Sequence, residues 1–144
     1  MIQQLSRAVC VCTCVCALIY SIPAHASAQR DRIQQVVDEL KGELGISSTV
    51  TVSMVPADPR LFSVVPVEHP QGTFLLSVQE DFAQALNDTE LRAAVAHELG
   101  HVWIYTHFPF LQTEQLANDI ASRVISRDTL TPLYDKVWKK AAAD

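Results

Sequence analysis

The chain has 144 residues, 49% of them hydrophobic, and a formal net charge of -5, which fits one globular domain. A mildly acidic chain without basic runs gives no electrostatic basis for nucleic-acid or anionic-membrane binding. All four cysteines lie between Cys10 and Cys16. The remainder of the chain therefore has to fold without disulfides.

The first 26 residues have the pattern of a secretory signal peptide. Arg7 precedes the uncharged apolar run Ala8 to Ile22, and small residues allow cleavage after Ala26. We predict a signal peptide at 1–26, a mature domain at 27–144, and export to the periplasm or the extracellular space. The apolar run, at roughly 15 residues, is shorter than the ~20 of a membrane-spanning helix. No stable membrane insertion is therefore expected after cleavage, with an uncleaved anchor as the alternative.

The next predicted elements are one helix and three short strands. Apolar residues recur every three or four positions from Gln29 to Leu44, which predicts an amphipathic helix capped by Gly45. The runs Thr49–Val55, Leu61–Val67 and Thr73–Val78 are rich in β-forming residues and bounded by proline and glycine. Proline cannot donate to a ladder, so the second run is expected to be irregular or to lie at a sheet edge.

Helices are predicted over the second half of the chain. Glu80–Leu86 is expected to form a helical turn, and Asn87 then caps a long helix that ends near His107. Thr113 caps a further helix that continues to Val124, and a last helix opens at Thr131-Pro132. This order of elements predicts a single α+β domain.

The long helix carries the motif His97-Glu98-Leu99-Gly100-His101. The two histidines are one helical turn apart, so both imidazoles can bind one ion, with Glu98 beside the first. Zinc held in this way lowers the pKa of a water toward ~7 and polarises a scissile carbonyl. Glu98 would then take the proton of the water and pass it to the leaving amine.

Two residues compete for the place of third protein ligand. His107 lies six residues after His101, as in the three-histidine zinc peptidases, but Ile104 stands where that pattern needs a glycine to break the helix. Glu114 opens the following helix after a short turn, so its carboxylate could complete the site.

The region from Gly72 to Ile125 resembles the gluzincins, zinc peptidases whose third ligand is a glutamate from a following helix. It is most similar to HtpX-like peptidases and single-domain minigluzincins. The resemblance rests on Thr73-Phe74-Leu75-Leu76, Thr89-Glu90-Leu91-Arg92-Ala93-Ala94-Val95-Ala96-His97-Glu98-Leu99-Gly100-His101 and Glu114-Gln115-Leu116-Ala117-Asn118-Asp119-Ile120-Ala121.

The resemblance implies a zincin-like fold with a backing helix, a small three-stranded sheet, an active-site helix, a glutamate-bearing helix and a C-terminal helix. It also implies that Glu114 is the third ligand and that Thr73–Val78 is the edge strand that receives substrate. The family has a supporting aspartate four residues after the ligand glutamate. Here Asn118 stands at that position and Asp119 one place further on, and Asn118 is preferred because it shares a helical face with Glu114.

The resulting expectation is an endopeptidase with one Zn²⁺ per chain that acts on peptides or proteins, its oligomeric state left open. For the oxyanion-stabilising group, Tyr134 and His69 are candidates, and Arg123 is a poorer one. A zinc-binding module without activity is the alternative function. A third hypothesis is a latent enzyme whose cleft is covered by the helix from Thr131 to Asp144.

Overall fold

The structure, a computed structural model, describes residues 24–107 and 109–141. Most of the predicted signal peptide lies outside these residues, and its cleavage stays a prediction. The described elements are the helices α1 (Ala24–Leu44), α2 (Glu80–Ala85), α3 (Asp88–Thr106), α4 (Glu114–Ala121) and α5 (Leu130–Ala141), a short 3-10 turn (Arg127–Thr129), and the strands β1 (Thr49–Val55), β2 (Phe62–Pro66) and β3 (Thr73–Gln79).

The three strands form one sheet in the order β1-β3-β2, with β3 in the middle. β1 pairs with β3 in parallel and β2 pairs with β3 antiparallel, so that Val52 and Val64 both lie opposite Leu76. Residues in register share a face of the sheet. The face that carries these three side chains is apolar, and the opposite face carries mostly threonine and serine.

The hydrophobic core lies between the apolar sheet face and the helices. Because one face of the sheet is covered and the other is polar, the chain forms two layers. The zincin-like α+β architecture expected from the sequence is confirmed. Fully buried core side chains come from α1 (Ile33, Val37, Leu40), β3 (Leu76, Val78) and α3 (Val95, Leu99, Val102).

The two edges of the sheet differ. At β1 the side-chain amide of Gln34, from α1, donates to the Val50 carbonyl at 3.0 Å and accepts from the Val52 N–H at 3.0 Å. β2 forms the other edge and ends at Pro66, as its proline predicted. The expectation that Thr73–Val78 is the substrate-receiving edge is wrong, because β3 is paired on both sides. Among the described residues, no further strand pairs with the outer side of β2.

Helix bounds differ from the predicted ones mainly at the ends. α1 begins at Ala24 instead of Gln29 and includes the predicted cleavage position. α4 ends at Ala121, three residues before the predicted end, and α5 begins at Leu130, so that its proline is the third helical residue. Gly45 follows α1 with a φ of 69°, the left-handed conformation expected of a glycine cap. Within the described ranges, no helix has the length and apolar character needed to cross a bilayer.

An ion pair joins α5 to the start of α3. The Glu90 carboxylate accepts from the Asn87 N–H at 3.0 Å, as part of a capping box, and from the Lys136 ammonium at 2.6 Å. The side chain of Glu90 is 10% exposed. The Lys136 hydrogen bond is the main reason that the pKa of Glu90 lies below its ordinary value near 4.5.

We expect Lys136→Met to destabilise the fold by about 1 kcal/mol at pH 7, since Lys136 is partly exposed and the bond is weakened by solvent. A lowered folded-state pKa contributes stability above the ordinary pKa and loses it as pH falls through the folded value. The variant and the wild type should therefore converge in urea unfolding toward pH 3. Arg127→Met, which breaks the more exposed Asp119–Arg127 pair, is the control and should change stability less. An equal loss of stability at pH 7 and pH 3 would contradict the conclusion that the Lys136 hydrogen bond lowers the pKa of Glu90.

Candidate metal centre and cleft

α3 places the two histidines of the motif side by side. Its start is fixed by the capping box of Asn87, and its 19 residues contain no proline. His97 and His101 lie one turn apart on one face, with ring centroids 4.9 Å from each other. Both side chains are mostly buried, at 13% and 17% exposure.

Glu114 is brought to these histidines by the start of α4. The Thr113 hydroxyl accepts from the Leu116 N–H at 3.1 Å, which makes Glu114 the first helical residue. Its Oε2 lies 3.1 Å from the Nε2 of His97, and its Oε1 lies 3.5 Å from the Nε2 of His101. The ligand atoms of this group all lie within 4.8 Å of one another.

These separations fit a tetrahedral ion. Two donors that each lie ~2.0–2.1 Å from zinc at a tetrahedral angle are roughly 3.3 Å apart, and the two measured contacts lie on either side of that value. Two imidazole nitrogens and a carboxylate also form the donor set of known catalytic zinc sites with an open fourth position. His97, His101 and Glu114 therefore fit a zinc ion.

α4 can approach because the motif contains a glycine. A Cβ built on Gly100 would lie 2.4 Å from the carbonyl oxygen of Ala117 and 2.9 Å from its Cα. Both contacts are with backbone atoms, which cannot rotate away. The two helices therefore cross at a distance that only a glycine on α3 permits, and this close crossing sets the position of the Glu114 carboxylate.

Asn118 lies one turn after Glu114 on the same face of α4. Its Oδ1 lies 2.8 Å from the Nδ1 of His97 and accepts the hydroxyl of Tyr134, from α5, at 2.7 Å. Burial is the main cause that lowers the pKa of His97, with the Asn118 hydrogen bond acting in the opposite direction. A lowered pKa favours the neutral imidazole that a metal requires.

Gln112 has the corresponding position at the second histidine. Its Oε1 lies 3.0 Å from the Nδ1 of His101, and its Nε2 donates to the backbone carbonyl of the same residue at 3.1 Å. Each histidine of the motif is thus contacted at Nδ1 by a carboxamide, one from α4 and one from the preceding loop.

Glu98 points into the cleft from the same helix and is 8% exposed. Burial raises the pKa of Glu98 to about 7, and the negative charge of Glu114 acts in the same direction. His101, the backbone N–H of Val64 and the cation of Arg60 lower it in part. A carboxyl group with a pKa near neutrality can both accept and donate a proton at physiological pH.

The cleft is a cavity of about 450 Å³ between α3, β2 and α5. Its polar lining includes His97, Glu98, His101, Gln112, Glu114 and Tyr134, and apolar lining comes from Phe62, Phe82, Ala94, Leu133 and Val137. β2 forms one wall with its unpaired edge. The main-chain groups of Leu61 and Val67 hydrogen-bond to residues at the two ends of β3. Main-chain groups alternate in direction along a strand, so those of Val64 point away from β3 and toward the cleft.

A strained turn carries Arg60 at the entrance to β2. Leu61 is buried with a φ of 64°, and the Phe62 N–H donates to the Arg60 carbonyl at 2.7 Å, which defines a γ-turn of the less favoured kind. The carboxylate of Asp58 accepts the Arg60 N–H at 2.8 Å and the Ser63 hydroxyl at 3.0 Å. This network places an arginine among the residues that line the cleft.

Other candidates from the sequence lie away from the ligand group. His107 ends α3 and stacks on Trp103 with ring centroids 3.8 Å apart, and its Nδ1 contacts the Trp103 carbonyl. Asp119 pairs with Arg127 at 2.8 Å. Arg123 lies over the Trp103 ring, 5.0 Å from its centroid.

The two oxyanion candidates are not supported by their positions. Tyr134 lines the cleft, but its hydroxyl contacts Asn118 and the Nδ1 of His97, whereas the ligand carboxylate contacts Nε2 on the other side of the ring. His69 is exposed in the loop before β3 and is absent from the cleft lining.

Three contributors to the site were not foreseen from the sequence in their present roles. The sequence predicts no role for Gln112 or Arg60, and it suggests oxyanion stabilisation for Tyr134 instead of the contact with Asn118. Gln112 lies eleven residues after its partner, and Arg60 precedes a strand, so neither has a spacing that signals a contact. Only the packing of α3 against α4 and β2 brings them together.

Comparison with known proteins gives one structural similarity. No protein-family model matches the chain, and no curated protein sequence matches it. The crystal structure of the metallopeptidase zymogen abylysin of Pyrococcus abyssi is similar with a TM-score of 0.53 and 17% sequence identity, over 75% of this chain and 93% of that chain. At this identity the similarity shows the fold alone, which is a zincin-like metallopeptidase fold around a group of residues able to hold a metal.

Proposed function

We propose that the protein is a zinc-dependent endopeptidase of the gluzincin type, similar to HtpX-like peptidases and minigluzincins, that acts on peptides or proteins after export to the periplasm or the extracellular space. The observation that carries the proposal is the convergence of His97, His101 and Glu114 beside the buried Glu98, next to an open strand edge. The fold similarity to a metallopeptidase supports it.

His97, His101 and Glu114 would hold one zinc ion per chain. When bound, zinc would polarise the scissile carbonyl and make a water more acidic. The carboxylate of Glu98 would accept the proton of the attacking water and later donate it to the nitrogen of the leaving amine. Asn118 would keep the proton of His97 on Nδ1, so that Nε2 faces the ligand group.

The edge of β2 provides a way to position an extended substrate. A peptide placed along it can donate to outward-facing main-chain carbonyls such as that of Val64, in the manner of an added strand, while the Val64 N–H is directed at Glu98. This would align the peptide with Glu98 and the ligand group, because β2 and these residues line the same cavity. Because these hydrogen bonds involve main-chain atoms, they would depend little on the amino-acid sequence of the peptide.

α5 is an integral part of this site. It buries Leu130 and Leu133 in the core, and Tyr134 and Lys136 bond to α4 and α3. These contacts argue against the hypothesis of a helix that covers the cleft and can be removed without harm. Truncation before Asp128 would be expected to unfold the site instead of activating it.

The proposal predicts metal-dependent cleavage. We expect elemental analysis of purified protein, loaded with zinc and dialysed, to show one zinc per chain. Cleavage of a mixed peptide library should stop with a chelator and return when zinc is restored. Protein that binds no zinc, including after refolding with zinc, would overturn the proposal.

A further inference from the structure

We propose that Gln112 is a positioning residue that sets the tautomer of His101 and prepares its Nε2 for the metal before the ion binds. The role of this contact in metal binding rests on the proposed function. The contact itself can be tested in metal-free protein. Gln112 belongs to the loop between α3 and α4, one residue before the Thr113 cap.

The orientation of the Gln112 amide follows from its two contacts. One end lies 3.1 Å from the backbone carbonyl oxygen of His101, which can only accept a hydrogen bond. That end must therefore be the NH₂ group, and the other end, 3.0 Å from the Nδ1 of His101, must be the oxygen. The backbone carbonyl thus removes the usual ambiguity of an amide orientation.

The orientation of the amide determines which ring nitrogen of His101 carries the proton. An amide oxygen accepts and cannot donate, so the neutral imidazole must carry its hydrogen on Nδ1. The lone pair then lies on Nε2, the nitrogen 3.5 Å from the Glu114 carboxylate. A metal ligand has to present a lone pair at the nitrogen that binds, so this tautomer is the competent one.

The same two bonds tie the loop to α3 at the point where α4 begins. Because Gln112 is held to His101, the chain is fixed only two residues before Glu114. Two of the three ligands therefore share one positioning side chain. Asn118 performs the corresponding task for His97, but from within α4, after the ligand glutamate.

The test uses three variants of the full mature chain. Gln112→Ala removes both contacts, Gln112→Glu keeps the acceptor for Nδ1 but loses the donor to the His101 carbonyl, and Gln115→Ala is the matched control. Gln115 has the same side chain three residues further on and does not line the cleft. Nitrogen-15 NMR of labelled histidine at pH 8 without metal reports the tautomer, and competition with a chelator reports the zinc affinity.

We expect His101 in the wild type and in Gln112→Glu to be protonated on Nδ1, and Gln112→Ala to show a mixture of both tautomers. Loss of an outer hydrogen-bond partner typically lowers metal affinity 10–100-fold, and the exposure of Gln112 places this loss near tenfold. Gln112→Glu should lose less affinity than Gln112→Ala, because it keeps the acceptor for Nδ1 and loses only the bond to the His101 carbonyl. Gln115→Ala should match the wild type in both measurements.

An unchanged His101 tautomer in folded Gln112→Ala would overturn the inference, as would an affinity loss that Gln115→Ala shares. The NMR measurement needs no metal. If the wild type bound no zinc, the proposed function would fail. The His101 tautomers of the wild type and Gln112→Ala would still show whether Gln112 sets the position of the proton.

Discussion

Replacing Glu98 by glutamine is expected to reduce peptide hydrolysis by roughly 10²–10⁴-fold while zinc stays bound. Glutamine has nearly the same shape, but its amide cannot accept the proton of the attacking water. Glu98 is absent from the ligand group, so zinc content should not change. The measurement is turnover of a mixed peptide library by zinc-loaded protein, with Glu68→Gln on an exposed loop as the control.

The same variant should make the metal-free protein more stable at pH 8. Burial raises the pKa of Glu98 to about 7 in the folded chain, so ionised Glu98 lowers stability at a pH above that value. This penalty disappears as the pH falls below the ordinary carboxyl pKa, where Glu98 is protonated in both states. Lower activity together with higher stability would identify Glu98 as a residue that serves catalysis at a cost in stability. Equal, negligible turnover of wild type and variant with zinc bound would instead support a binding module without activity.

Gly100→Ala is expected to disrupt the metal centre from within the motif. The added Cβ would lie 2.4 Å from the Ala117 carbonyl oxygen, so α4 has to move away from α3. Overpacking of this kind destabilises a fold by about 1–3 kcal/mol, partly offset by the better helix propensity of alanine. Because Glu114 and Asn118 both move with α4, zinc affinity should fall by more than the 10–100-fold typical of losing one outer contact.

The control for this prediction is Gly42→Ala. Gly42 lies inside α1, and a Cβ there has nothing within 4 Å. Alanine should leave zinc affinity unchanged and stabilise the protein by about 0.4–1 kcal/mol, since the unfolded chain loses freedom. Chelator competition and thermal unfolding of both variants make the comparison. Unchanged affinity in Gly100→Ala would show that the helices can separate without moving the ligands.

Much of the fold was accessible from the sequence because its signals are local. The capping box at Asn87 and the hydroxyl cap at Thr113 set the starts of α3 and α4 within one residue of the prediction. The order of the strands in the sheet depends on contacts between distant segments, so no local signal reveals it. The resemblance predicts that Thr73–Val78 is an edge strand, but the chain returns after β2 and inserts β3 between β1 and β2. Pro66 did indicate the edge strand correctly, because proline has no N–H to donate to a neighbouring strand.

The ligand group was accessible for a related reason. His97 and His101 follow from helical spacing, and Glu114 and Asn118 share a face because they are one turn apart. The structure brings these residues together, while their roles in catalysis stay a proposal. Gln112 could not be anticipated, because its contacts depend on how a loop folds back over eleven residues. Loop geometry of this kind is set by tertiary packing, here by the close crossing at Gly100.

The open side of β2 has a second consequence, for self-association. Unpaired strand edges invite another copy of the same chain to add a strand, which is a route to aggregation. β2 limits this route by being only five residues long and by ending in Pro66, which has no N–H to offer. The brevity that protects the protein also restricts how many main-chain bonds any extended partner can form there, so a peptide held at this edge gains little from being long.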